Sequence, residues 1–103
     1  MRNMNDILRQ AQVMQNKLEK LQKEMAQNTY EAASGGGVVK AVVSGKQELL
    51  KLTIDPKALA DGDAEMLQDL VVAAVNEALR ISRESVEREM NAISGGIKLP
   101  GMF

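Results

Sequence analysis

The sequence predicts an α+β fold in which a three-stranded antiparallel meander lies between two long helices, in the order α-β-β-β-α. Three observations predict it. Helical spacing of apolar residues near the N-terminus gives way to β-branched runs after residue 28, helical spacing returns after residue 63, and glycines mark the boundaries. We expect one domain over residues 1–94 and a flexible Gly- and Pro-containing tail over residues 95–103.

The first helix is predicted from a heptad seam, because apolar residues recur at alternating intervals of three and four positions. Good helix formers fill the intervening positions, and no glycine or proline occurs before Gly35. The pattern requires a partner that covers the seam. The sequence allows this partner to be either the second helix or another chain. The seam residues are Met4, Ile7, Ala11, Met14, Leu18, Leu21 and Met25.

Three strands are predicted over residues 29–34, 38–43 and 48–54. The triplet Gly35-Gly36-Gly37 separates the first two strands, and the turn Ser44-Gly45-Lys46 separates the last two. Short connections of this kind join antiparallel neighbours, so the strands form a meander.

One face of this sheet is predicted to be only half polar, because it places Val38, Val42 and Leu49 beside two lysines, Lys40 and Lys51. A solvated sheet face is ordinarily more polar than this, so we expect another chain to cover it in part. Val38, Val42 and Leu49 therefore join six residues of the helical seam as predicted dimer or helix contacts: Met4, Ile7, Ala11, Met14, Leu18 and Leu21.

A second helix is predicted over about residues 64–93, with Asp61 and Asp63 as N-cap candidates and Gly95-Gly96 ending it. Helices of about 24 and 30 residues run about 36 and 45 Å, whereas strands of about seven residues span only about 23 Å. Both helices must therefore project beyond the sheet, and an apolar stripe on a projecting helix needs a partner.

Catalysis is disfavoured by composition, because the chain contains neither cysteine nor histidine. These absences remove the most common general base, the most common metal ligands and the usual nucleophile pairs. The glycine triplet lacks the spacing of a phosphate-binding loop, and Asp55, Asp61 and Asp63 lack that of a calcium loop. We expect no enzyme activity, no cofactor, no metal and no small-molecule substrate.

The chain is expected to be cytoplasmic and to have no membrane partner. It opens without the apolar run of a signal peptide, and no stretch is long and apolar enough to span a bilayer.

Basic residues are concentrated in the first half of the chain. Residues 1–57 carry nine Lys and Arg against six Asp and Glu, whereas residues 58–103 carry four against eight. With one Tyr, one Phe and no Trp, stacking on single-stranded bases is nearly excluded. Taken alone, the basic residues are better explained as the ordinary solvated face of a helix than as a binding site. Any contact with nucleic-acid phosphates would come from the basic residues of the two predicted helices, which are Arg9, Lys17, Lys20, Lys23, Arg80, Arg83 and Arg88.

The sequence resembles the YbaB/EbfC nucleoid-associated proteins of bacteria over almost its whole length. The matching segments are residues 4–25, 35–43, 71–79 and 95–103. The resemblance implies a tweezer-like α-β-β-β-α homodimer whose helical arms grip double-stranded DNA, a location at the nucleoid, and a role in nucleoid organisation and gene regulation.

A helical adaptor or chaperone-like clamp remains the alternative, because a heptad seam can also bind a protein partner. The net charge of −1 predicts few phosphate contacts and a shallow salt dependence, unless a dimer joins two basic strips.

Overall fold

The chain folds as predicted around a three-stranded sheet, in a computed structural model that describes residues 3–60 and 62–93. Asp61 and the predicted tail at 95–103 lie outside the described residues. One element was not predicted, the five-residue helix α2 after the last strand. The elements are α1 (Met4–Gln27), β1 (Thr29–Ser34), a 3₁₀ turn (Gly35–Gly37), β2 (Val39–Ser44), β3 (Leu49–Ile54), α2 (Pro56–Ala60) and α3 (Ala64–Ile93).

Side-chain caps begin both long helices. The Asn3 Oδ1 atom accepts a hydrogen bond from the Asp6 amide at 2.9 Å, and the Asp63 Oδ1 atom accepts one from the Met66 amide at 3.0 Å. Each cap satisfies an amide that has no partner within the first helical turn. The prediction of Asp63 as a cap is therefore confirmed.

The core lies between one face of the sheet and α3. The sheet order is β1-β2-β3 with antiparallel pairing throughout. Alternation along β2 buries Val39, Ala41 and Val43, which pack with the fully buried Ala74 and Ala78 of α3. The small alanine side chains let the helix lie close to the sheet. Helix α3 packs mainly on β1 and β2.

The prediction for the outer face of the sheet is wrong for two of its three apolar residues, Leu49 and Val38. A β-bulge between Val42 and Val43 places Leu49 opposite Val43, on the side that faces α3. One extra residue in a strand reverses the alternation of side chains beyond it, which the simple pattern could not reveal. Val38 precedes β2 in an α-helical conformation and packs against the core. Only Val42 remains on the outer face, with Lys40 and Lys51.

Two hydrogen bonds show how α3 crosses the sheet. The Ser34 hydroxyl donates to the Leu70 carbonyl at 2.6 Å, and the Ser82 hydroxyl donates to the Ser44 carbonyl at 2.9 Å. The residues of α3 after Ser82 therefore extend beyond the turn between β2 and β3.

Helix α1 enters from the same end of the sheet, because the Gly45 amide donates to the Asn28 carbonyl at 3.1 Å. The two helices thus project side by side, in opposite chain directions, from one end of the sheet. This confirms the predicted overhang and gives the molecule a long axis of 72 Å.

The structure also answers, in part, which partner covers the heptad seam. Leu18 and Met25 are buried and Leu21 is half-buried where α1 packs against α3 and β2 of the same chain. The seam residues closer to the N-terminus are exposed, Met4 by 68% and Ile7 by 51%. The chain therefore covers the C-terminal half of its own seam and leaves the other half uncovered.

A buried hydroxyl joins α3 to the turn between β2 and β3. Ser82 is fully buried, donates to the Ser44 carbonyl and accepts from the Gln47 Nε2 atom at 2.8 Å. Gln47 has a positive φ of 67°, which is uncommon outside glycine and is held here by this side-chain contact. The hydroxyl therefore fixes the root of the projecting part of α3.

The Ser82→Ala variant is expected to lower the free energy of unfolding by about 1 kcal/mol, because the Ser44 carbonyl and the Gln47 side-chain amide each lose one hydrogen bond. Urea denaturation followed by circular dichroism measures this loss. Ser85→Ala is the matched control, since Ser85 is only half-buried on the same helix. Equal stability losses in both variants would show that the Ser82 hydrogen bonds contribute nothing specific.

Candidate nucleic-acid interface

A basic face runs along the solvent side of α1. It consists of Arg9, Lys17, Lys20 and Lys23, which are all exposed. At about 3.6 residues per turn these side chains occupy roughly a third of the helix circumference, opposite the seam. Their Cα atoms span about 21 Å along the helix axis. We call this surface the α1 basic face.

None of these four cations is neutralised by a neighbouring carboxylate. In the part of the chain that the structure describes, ion pairs join only Arg80 to Glu77 and to Glu84. The charges of the α1 basic face are therefore available to a partner, and their position on a projecting helix makes them accessible.

One apolar residue interrupts the α1 basic face. Val13 is 48% exposed and, with Arg9 and Lys17, lines a shallow depression of about 220 Å³. Val13 is not among the predicted contact residues, although an apolar residue outside the heptad positions is a visible signal in the sequence. A partner that contacts the basic residues would also cover this side chain.

Arg80 is held between two carboxylates of its own helix. Its Nε atom donates to Glu77 Oε2 at 3.0 Å and its Nη1 atom donates to Glu84 Oε2 at 2.8 Å, while Nη2 donates to Glu77 Oε1. These hydrogen bonds lower the pKa of Glu77 and raise the pKa of Arg80. The group of three carries a net negative charge, so Arg80 is a poor phosphate ligand.

The two remaining arginines of α3 diverge. Arg83 and Arg88 are exposed and lie five positions apart, which separates them by about 140° around the helix. Arg88 lines a cleft of about 500 Å³ between α1 and α3, together with Glu24 and Glu89. Arg88 therefore lies near α1 beside two acidic residues, whereas Arg83 is not among the residues that line this cleft.

A second unusual surface lies on β3. Leu49, Leu50 and Leu52 are exposed by 48%, 54% and 38%. Leu49 and Leu52 lie opposite Val43 and Ala41, on the side of the sheet that faces α3, but α3 covers β1 and β2 instead. We call these three leucines the β3 surface. Of the three, only Leu49 is among the predicted contact residues, and the sequence signal for Leu50 and Leu52 is a strand with leucine on both faces.

The described residues contain no group of three acidic side chains that could hold a metal ion. Within the same residues, no helix has the length and apolar character needed to cross a membrane.

Residues 1–97 match the YbaB/EbfC DNA-binding family. A nucleoid-associated protein of Moorella thermoacetica is 54% identical over 98% of this chain and 97% of its own length. Another, from Desulforamulus reducens, is 50% identical over 98% and 96%. The crystal structure of HP0035 from Helicobacter pylori covers 92% of this chain and all of its own, with a TM-score of 0.79 and 22% sequence identity. That last likeness supports the fold alone.

Proposed function

Because the chain belongs to the YbaB/EbfC DNA-binding family, we propose that it is a nucleoid-associated homodimer that grips double-stranded DNA with its helical arms, mainly through phosphate contacts. Family membership agrees with the expectation that the chain is not an enzyme. This mode of DNA binding is supported by the α1 basic face, whose cations have no ion-pair partner and lie on a projecting helix.

Phosphate contacts are favoured over base contacts by the residues themselves. Lysine side chains are flexible point charges that suit phosphate oxygens and carry no sequence information. Three of the four cations on the α1 basic face are lysines. Of the α3 arginines, Arg83 is the best additional candidate, since carboxylates offset Arg80 and accompany Arg88.

A homodimer is supported by the β3 surface. Exposed leucines on an edge strand are an aggregation hazard unless a specific partner covers them. A second copy supplies the same leucines and removes both sets from water. It also supplies a second α1 basic face. The dimer would therefore bring two clusters of cations to DNA, although each chain has a net charge of −1.

A salt titration tests the binding mode. The logarithm of the association constant is expected to fall linearly with the logarithm of salt concentration, with a slope of about −7 if eight cations of a dimer contact phosphates. Gel-shift or anisotropy measurements on unrelated duplexes should give similar affinities. Absence of binding by the purified protein at about 50 mM salt would overturn the proposal.

The Leu52→Glu variant is expected to be monomeric, because a carboxylate in an apolar interface loses its hydration without gaining a partner. Sedimentation velocity measures the change in mass. Thr53→Glu is the matched control, since Thr53 is the next residue of the strand and shares the outer face with Lys40. If Leu52→Glu sediments as the unaltered protein does, the β3 surface is not the dimer contact.

A further inference from the structure

Val13 is an apolar side chain at the centre of a cationic surface. It is 48% exposed, and Arg9 and Lys17 lie four residues to either side of it on α1. Side chains at this spacing are neighbours on the helix surface. Together with Met14, these three residues line the shallow depression of about 220 Å³. An apolar depression therefore lies directly between two cations.

The two cations beside Val13 keep their full positive charge. Among residues 3–60 and 62–93, neither Arg9 nor Lys17 forms an ion pair. Glu19 is the only acidic residue between positions 9 and 23, and it lies six positions from Val13. That spacing places it about 120° away around the helix. The depression therefore suits an anionic ligand that also offers an apolar group.

The major groove of duplex DNA presents such a combination. It is about 12 Å wide and admits an α-helix, whereas the minor groove is only about 6 Å wide and a helix measures about 10–12 Å across. The Cα atoms of Arg9 and Lys17 lie eight residues apart, which is about 12 Å along the axis. Their side chains can therefore reach phosphates on both sides of the groove. Val13, which lies midway between them, then faces the base edges.

Thymine offers an apolar group at these base edges. All four bases present hydrogen-bond donors or acceptors in the major groove, and thymine adds a 5-methyl group. A valine side chain has no donor or acceptor, so it leaves a polar base edge without a partner. We propose that Val13 packs on the 5-methyl group of thymine in the major groove, while Arg9 and Lys17 contact phosphates on its two sides. This inference rests on the proposed function and adds one base contact to it.

The methyl contact gives a weak preference for thymine and no defined recognition sequence. Burial of one methyl group changes an affinity by about three-fold, which is small beside the contribution of several phosphate contacts. Mixed sequences offer thymines in many registers. Unrelated mixed duplexes are therefore still expected to bind with similar affinities, whereas a duplex without any methyl group is not.

Replacement of thymine by uracil tests the proposal, because uracil lacks only the 5-methyl group. Fluorescence anisotropy compares an alternating A·T duplex with the same duplex containing uracil at every thymine, at about 50 mM salt. The unaltered protein is expected to bind the thymine duplex about three-fold more tightly. Equal affinities for the two duplexes would overturn this inference alone. Absence of binding to both duplexes would overturn the proposed function as well.

The Val13→Ala variant assigns the preference to one side chain. It is expected to bind both duplexes alike, with an unchanged slope of the salt dependence, because no charge is lost. Alanine favours the helix, so circular dichroism should show unchanged folding. Val72→Ala is the matched control and should keep the preference, since Val72 is 57% exposed on α3.

Two results with the Val13→Ala variant would contradict the assignment. A preference for thymine that persists in this variant would show that another side chain contacts the methyl group. Equal weakening of binding to the thymine and uracil duplexes, with the preference retained, would place Val13 against the sugars of the DNA backbone. Either result overturns the proposal.

Discussion

The Gly45→Ala variant is expected to lose about 3 kcal/mol or more of its free energy of unfolding. A Cβ atom at residue 45 would lie 1.8 Å from the Met25 carbonyl oxygen and 2.6 Å from its carbon. Both are backbone atoms, so no side-chain rotation relieves the clash. The turn must then separate from α1 and lose the hydrogen bond from the Gly45 amide to Asn28. Urea denaturation followed by circular dichroism measures the loss.

Gly36→Ala separates this clash from the general cost of replacing a glycine. Gly36 has a φ of +71° and no atom within 4 Å of an added Cβ, so its replacement should cost only the roughly 1–2 kcal/mol of a left-handed backbone. If Gly45→Ala proves no more destabilising than Gly36→Ala, α1 does not lie against the turn as described.

The double variant Lys20→Glu with Lys23→Glu is expected to weaken duplex binding about ten-fold or more for every sequence alike, because phosphate contacts carry no sequence information. Each lost contact should also reduce the slope of the salt dependence by about one. Fluorescence anisotropy with two unrelated duplexes at several salt concentrations measures both effects. Circular dichroism should show no change in folding, since both lysines are exposed.

Lys40→Glu with Lys51→Glu is the matched control for charge. Both lysines are exposed on the outer face of the sheet, and the pair changes the net charge by the same amount. Its affinity should change much less. Equal weakening by the two double variants would point to general electrostatic attraction instead of the α1 basic face. Loss of binding to only one sequence would indicate that the lysines read bases.

The sequence predicted the parts of the candidate surfaces that depend on residues close together in the chain. It did not predict the parts that depend on hydrogen bonds or on strand register. The α1 basic face follows from helical spacing alone, so all four of its residues can be recognised in the sequence. Arg80 was selected on the same grounds, but its charge is offset by Glu77 and Glu84. Carboxylates at helical spacing were visible in the sequence, whereas their hydrogen-bonded arrangement was not. The β3 surface was only partly predicted, because a bulge changed its register.

By itself, the sequence determined the type and order of the main elements, the start of α3 and the projection of both helices beyond the sheet. These properties depend on periodicity, capping residues and length, which are local. Only the tertiary structure decided which end of the sheet the helices leave from and how much of the heptad seam α3 covers. Those outcomes depend on contacts between residues distant in sequence, such as Gly45 with Met25 and Ser82 with Ser44.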